Sequence, residues 1–569
     1  MEGRDKSVYL QSITTSSDGH NEQPRKQKRL LCTPTLMPIF LVMVIVIVVF
    51  SSNSVTLTHY VHFAKNVRES ISQKETNPSF ASKGIYLPTN LKPLSYDLII
   101  RVYLPNYVEF PISKNLTTEG EVTINMVVVQ ATNAIVLNMK DIVILLDKCE
   151  ARSNTVRLTI TNINIDEHFD RVTFVLAETV HIGQEVSLKV NYVGFVNDKL
   201  RGLYQTTYTD LKGKLKMAAV SHCEPMEARR IVPCFDEPKY KAVWNVTIIH
   251  PNGTKAIANA MELSETTEPN GKWKVSRFRP TPILASYLVA LFVSEFDYDE
   301  TYTNRGVRFR LWSTPATRHK REFGLKVAIT FMELFEEYFG IQDVTMKQDM
   351  VALPDFCAGA MENWGLITFR ENFLLVYGRP NIVHTSQITV AHELAHQWFG
   401  NMVTLKDWNE VWLKEGFAKY FENTMLDNKI DNGLNLYGDL ATMDFEKALE
   451  KDSFATSHPL CSSIETASEV YESFDDISYS KGSAIIAMTL KIVGEKKFKE
   501  GLNKASTYGR NILRKGTEKM EKRATKIEEK SVSVIEWTAS PDRLEGTLPK
   551  ERENGQQFTL INCAISTRG

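Results

Sequence analysis

Between Tyr86 and about Ser294 the apolar residues of this chain recur at every second position. From about residue 315 they recur at every third and fourth. That change of period constrains the fold most, because a strand alternates its side chains between two faces and a helix returns to one face after roughly 3.6 residues. The first region holds short β-branched runs: Glu121 to Val129 (EVTINMVVV), Arg171 to Leu176 (RVTFVL) and Ser187 to Tyr192 (SLKVNY). Turn-formers such as Asn252-Gly253 and Pro269-Asn270-Gly271 separate such runs. This predicts a β-rich domain over 85–295, a sandwich or a saddle. In the second region Leu325, Ile329, Met332, Phe335 and Phe339 mark one face of an amphipathic helix, and the pattern stays mostly helical to about residue 505. The fold class is therefore α+β and multidomain, with a mainly helical domain over 296–540 and a divergent tail over 541–569.

The N-terminus adds a further element. Residues 1–29 are polar and end in Arg25-Lys26-Gln27-Lys28-Arg29, and no charge occurs from Leu30 to Phe50. An apolar run of about twenty residues spans a bilayer, and flanking basic residues stay cytoplasmic. We read 1–29 as a cytoplasmic tail, 30–52 as a single transmembrane signal anchor in contact with membrane lipid, and 53–84 as a stalk. The competing reading is a cleaved signal peptide, since Ser51, Ser52 and Ser54 follow the apolar core. The sequons at Asn115, Asn245 and Asn252 all fall on the outer side of such an anchor, and Asn77 is excluded by Pro78. A net charge of −1 over 569 residues gives no basic field for nucleic acid. The seven cysteines contain no CxxC pair, which argues against a cysteine-held zinc and leaves the pairing of any disulfide open. The mixed charges of Lys496 to Lys530 read as a solvated helix face.

The chemistry concentrates at His392-Glu393-Leu394-Ala395-His396. On a helix, positions four apart share a face, so His392 and His396 can offer two imidazoles to one ion. Zinc accepts imidazole nitrogen and carboxylate oxygen, and a catalytic site takes three protein ligands with a fourth position left for water. Glu415, with eighteen residues between it and His396, is the candidate third ligand. Glu393 follows the first histidine and is the candidate general base.

Upstream stands Gly359-Ala360-Met361-Glu362-Asn363-Trp364-Gly365. GAMENWG, then HELAHQWFGN, then WLKEGFA around Glu415, in this order and spacing, resembles the aminopeptidase N family of zinc aminopeptidases within the gluzincins. Pro233 to Pro238 (PCFDEP) and Phe474 to Gly482 (FDDISYSKG) extend the likeness, which runs from about Leu87 to Leu502. The resemblance implies a thermolysin-like catalytic domain over 296–540 holding one Zn(2+) per chain on His392, His396 and Glu415. It implies peptide substrates with a free N-terminus, Glu362 and Glu224 as carboxylates for the substrate amine, and Tyr479 as the phenol that hydrogen-bonds the oxyanion. Gly359, Ala360, Met361 and Asn363 are expected along the substrate path. The expected activity is removal of N-terminal residues outside the cytosol, in a type II membrane protein of the plasma membrane or a luminal compartment.

Family members usually carry a glutamine and an aromatic where this chain has His222 and Cys223. His222 could contact a substrate side chain or be a hydrogen-bonded structural histidine, and Cys357 could be a solvent-reachable thiol near the site, with a buried and inert one favoured. Relatives also continue into a helical C-terminal domain, whereas the likeness here fades after about residue 505. That raises two alternatives: a catalytically impaired ectodomain acting in binding or as a decoy, and an epoxide-hydrolysing relative of the same fold. The GAMEN sequence and the apolar segment disfavour the second. Relatives are often homodimers through the C-terminal part, so homodimer and monomer both stay open.

Overall fold

The computed structural model describes residues 84–376, 380–429 and 444–513. The stretches read as tail, anchor and most of the stalk lie outside these residues, as does the tail after 540. Among the described residues no helix is long and apolar enough to cross a membrane.

From residue 84 to Ser294 the regular structure is strand apart from short 3-10 turns, arranged in sheets of nine, four and three strands. The expected runs lie inside the strands Thr117–Val128, Arg171–Val180 and Glu185–Phe195. Thr117–Val128 buries every second residue, as a strand with one face on the core must. It pairs antiparallel with Leu91–Val102, which pairs parallel with Val243–Pro251. Tyr96 and Trp244 stack beside this junction, ring centroids 3.9 Å apart. Of the sequon asparagines, 115 and 252 are exposed, while the Asn245 amide donates to Asp97.

The PCFDEP segment is a buried clamp. Arg229 donates through Nε to Asp236 at 2.9 Å, Ser286 donates to the other Asp236 oxygen at 2.7 Å, and the Leu87 amide donates to Glu237. Each charge is thus paired where an unpaired one would be costly. The clamp fixes the loop after the strand Leu215–His222, and that loop carries Glu224.

The second region departs from expectation in one respect. It opens with a five-stranded sheet in the order 297–302, 308–313, 347–353, 366–370, 360–361. Lys347–Leu353 is buried at every position and runs parallel to both neighbours, so its sequence does not alternate. Its charges, Lys347 and Asp349, hid it from a search for apolar periodicity. The expected amphipathic helix is present as Arg321–Phe339 and stops at Gly340, which takes the left-handed conformation (φ 65) that a side chain disfavours. The helices Pro380–Ala395 and Trp412–Lys429 pack against one another over an aromatic core. In that core Phe339 meets Trp398 at 5.1 Å and Phe421 at 5.0 Å, and Phe399 stacks on Phe417 at 4.4 Å.

Candidate metal centre and substrate cavity

His392 lies in the last turn of its helix, and the His396 amide still donates to the His392 carbonyl at 3.2 Å, so the two imidazoles share a face. Glu415 sits in the first turn of the facing helix. His392 Nε2 and His396 Nε2 each lie 3.3 Å from Glu415 Oε2 and 3.1 Å from each other. Donors sharing one tetrahedral ion at about 2.0–2.1 Å are separated by about 3.3 Å, so these residues fit zinc. Among the described residues this is the one cluster of its kind.

The other ring nitrogens are already engaged. His392 Nδ1 lies 2.7 Å from Glu422 Oε2, and His396 Nδ1 lies 2.9 Å from the Phe399 carbonyl. An acceptor at Nδ1 places the proton there and leaves Nε2 as the ligating atom. Burial works against a charge on His392, but Glu415 and Glu422 outweigh it and hold its pKa up to about 10. The two carboxylates thus favour positive charge at this point, which suits a cation. Glu422 was not found from the sequence; its only signal is that it lies two helical turns beyond Glu415 on the same face. Glu422→Ala should weaken metal affinity about 10–100-fold, read by competition with a chelator of known affinity.

A cavity of about 390 Å³ opens over these ligands. Of the residues singled out in the sequence, it is lined by His392, Glu393, His396, Glu415, Glu362, Glu224, Tyr479, Ala360, His222 and Cys357. Ala360, on the short strand Ala360–Met361, and Glu362 just after it reach the cavity, while Met361 and Asn363 are buried and do not line it. Gly359 packs beside Phe373 and is not part of the lining. Pro225, Ala358, Phe474, Tyr471 and Arg201 complete the wall, and none of these five was anticipated as a site residue.

Glu393 is buried, and its Oε2 has no hydrogen-bond partner. Burial pushes its carboxyl well above the usual range, Glu362 and Glu415 add to this, and His392 opposes it. A carboxylate so placed takes up a proton readily. Tyr479 lies in a π-helical turn, Ile477–Lys481, its ring stacked 6.0 Å from that of His392. Two glycines bring it there: a Cβ on Gly416 would lie 2.9 Å from the Gly482 backbone, so only bare backbones allow this approach of the helices. Burial, then Glu415, raises the Tyr479 phenol, which stays protonated and able to donate.

Two open readings are resolved. His222 is buried against the edge of Phe356, its Nδ1 lacks a partner, and burial lowers its pKa to about 4. It is thus a neutral group on the wall, not a fully hydrogen-bonded structural histidine. Cys357 is exposed at the cavity, which corrects the expectation of a buried residue; the loop before Gly359 turns it outward. The five described cysteines (149, 223, 234, 357 and 461) are all free thiols.

Comparison with known proteins follows the same division of the chain. The peptidase M1 N-terminal domain matches residues 92–288, and the peptidase family M1 domain matches residues 323–526, which carries the likeness past Leu502. The chain is 46% identical over 434 residues to aminopeptidase N of Haemonchus contortus, covering 76% of this chain and 44% of the relative. It is 34% identical over 460 residues to aminopeptidase N of Rattus norvegicus, covering 76% and 46%. It is 33% identical over 431 residues to the puromycin-sensitive aminopeptidase of Caenorhabditis elegans, covering 75% and 44%. The chain thus spans under half the length of these curated relatives. With both domains matched in order and the His-His-Glu cluster at the centre of the second, the chain belongs to peptidase family M1.

Proposed function

We propose that this chain is a zinc-dependent aminopeptidase that removes N-terminal residues from peptides, with one zinc held by His392, His396 and Glu415. The observation that carries this reading is the meeting, in one cavity, of the three ligating atoms with two further carboxylates, Glu224 and Glu362. A peptidase that recognises only a chain terminus must bind a protonated amine, and a cation leaving water needs carboxylates around it. An amine held by these two carboxylates, in the same cavity as the ligating atoms, would fix which peptide bond is presented for attack.

A bound zinc would lower the pKa of water and polarise the scissile carbonyl. Glu393 takes the proton of the attacking water on its free Oε2 and returns it to the departing amine. Tyr479 donates to the oxygen on which negative charge develops. Glu224 and Glu362 hold the N-terminus meanwhile. Ala360 flanks the peptide backbone, and Gly359, Met361 and Asn363 hold the segment that presents Ala360 and Glu362. The domain limits 85–295 and 296–540 describe the working unit. The uncharged stretch 30–52 behind a basic cluster supports a type II anchor that carries this unit outside the cytosol, where the exposed Asn115 and Asn252 are open to glycosylation.

The test is hydrolysis of a panel of aminoacyl amides by the purified, zinc-loaded chain, with N-acetylated counterparts as controls. Cleavage of the free amines, abolished by a chelator and restored by zinc, is the expected result. Zinc bound at one per chain with no turnover of any substrate would overturn the reading and favour a binding or decoy role.

A further inference from the structure

Lys414 immediately precedes the proposed metal ligand Glu415, and its ammonium lies inside the site. Its Nζ is 2.9 Å from Glu362 Oε1, 2.7 Å from Glu224 Oε1 and 2.5 Å from Glu415 Oε1. The side chain is only 1% exposed, with its charge between the rings of Tyr287 (5.7 Å) and Phe474 (5.5 Å). Glu415 faces the imidazoles with its other oxygen, Oε2, so Lys414 stands beside the metal ligands without entering their cluster. The contact with Glu224 is an ion pair, and the one ammonium thus reaches all three carboxylates.

We propose that Lys414 is an internal competitor for the substrate's N-terminal ammonium, occupying the Glu224–Glu362 carboxylate pair and setting the affinity of this chain for free amines. The proposal rests on the reading that those two carboxylates receive the substrate amine. The geometry gives the reason. Lys414 already holds an ammonium 2.7 Å from Glu224 Oε1 and 2.9 Å from Glu362 Oε1, so an arriving ammonium meets a like charge at the same oxygens. Both oxygens are already in contact with the Lys414 ammonium, so the amine enters by sharing them with the lysine or displacing it. A lysine that served only as a counter-ion for the fold would affect all ligands equally. A competitor affects only those that bear the amine.

The experiment is calorimetric titration of the zinc-loaded full-length chain with leucine hydroxamate and with N-acetylleucine hydroxamate. A Glu393→Gln background removes turnover, and metal content and thermal melting are recorded for each variant. The ratio of the two dissociation constants is the readout. Lys414→Gln is expected to tighten the free-amine ligand about tenfold and leave the acetylated one unchanged, while Lys414→Arg keeps the original ratio. Before any substitution at Lys414, the preference for the free amine should be less than about tenfold, a result that stands even where Lys414→Gln fails to fold. A large preference with Lys414 in place, unaltered in Lys414→Gln, would overturn the competitor while leaving the aminopeptidase reading intact. Failure of both hydroxamates to bind the zinc-loaded chain would overturn that reading and the competitor with it.

Discussion

Replacing Glu393 by glutamine is expected to lower kcat by about 10²- to 10⁴-fold, the usual contribution of a positioned general acid–base group. Metal content and KM should stay close to those of the unaltered chain, because the change keeps the shape of the side chain and touches none of the three ligating atoms. The backbone carbonyl of residue 393 would still accept from Gln397 Nε2 at 2.8 Å, so the helix is not disturbed. What is lost is basicity at a buried oxygen that has no other partner. The pH profile provides the second readout. A general base works only when ionised, and burial holds the Glu393 carboxyl well above the usual carboxylate range. Activity should therefore rise with pH through an acid limb lying above the ordinary glutamate value of about 4.3. In Glu393→Gln the residual rate should lack that limb. A variant that retains most of its kcat, or keeps the limb, would remove Glu393 from the role of base.

The histidine pair could be read from the sequence because its geometry is local: four residues along a helix is a fixed displacement, whatever surrounds it. Glu415 needed the order of motifs, since no local rule brings residues on two helices together. Lys414 could not be read at all, and Glu422 had only its place two turns beyond Glu415 to mark it. Each looks like an ordinary charged residue of a solvated helix, and its importance arises from groups far away in the chain: Glu224 and Glu362 for the first, His392 for the second. The β-rich half was legible because its strands bury one face and keep the alternation. The strand Lys347–Leu353 was not, because a strand covered on both faces loses alternation and this one also carries charges neutralised by partners on other elements. Apolar periodicity reports the hydrophobic contribution to folding and is blind to buried ion pairs.

Those buried charges lead to the second large effect. Asp349 is fully buried on this strand, receives Arg310 through both carboxylate oxygens (2.5 and 2.8 Å), and accepts from Lys347 at 2.6 Å and Trp312 at 2.9 Å. Lys347 in turn donates to the carbonyls of Ala258 in the β-rich half and Gly365 at the end of the GAMENWG segment. Asp349→Asn should destabilise the chain by about 3–5 kcal/mol, the cost of leaving buried cations unpaired, read as a lower urea midpoint. The two partners respond differently to burial. For Asp349 burial would raise the carboxyl, but Lys347 and Arg310 overcome it and hold the group well below the usual range. For Lys347 burial outweighs Asp349 and depresses the ammonium. The charges of the cluster depend on one another, so the cost of removing one partner depends on whether the other is present. Lys347→Met combined with Asp349→Asn should cost less than the sum of the two single changes. The sign of the pH dependence follows from Asp349: its depressed pKa means a stabilisation fully present above the unfolded value of about 3.9 and lost as the pH falls below it. The unaltered chain should lose stability over that acid range and Asp349→Asn should lose less, since it has no carboxylate there to protonate. Equal acid sensitivity in the two proteins would show that the cluster does not contribute to acid unfolding.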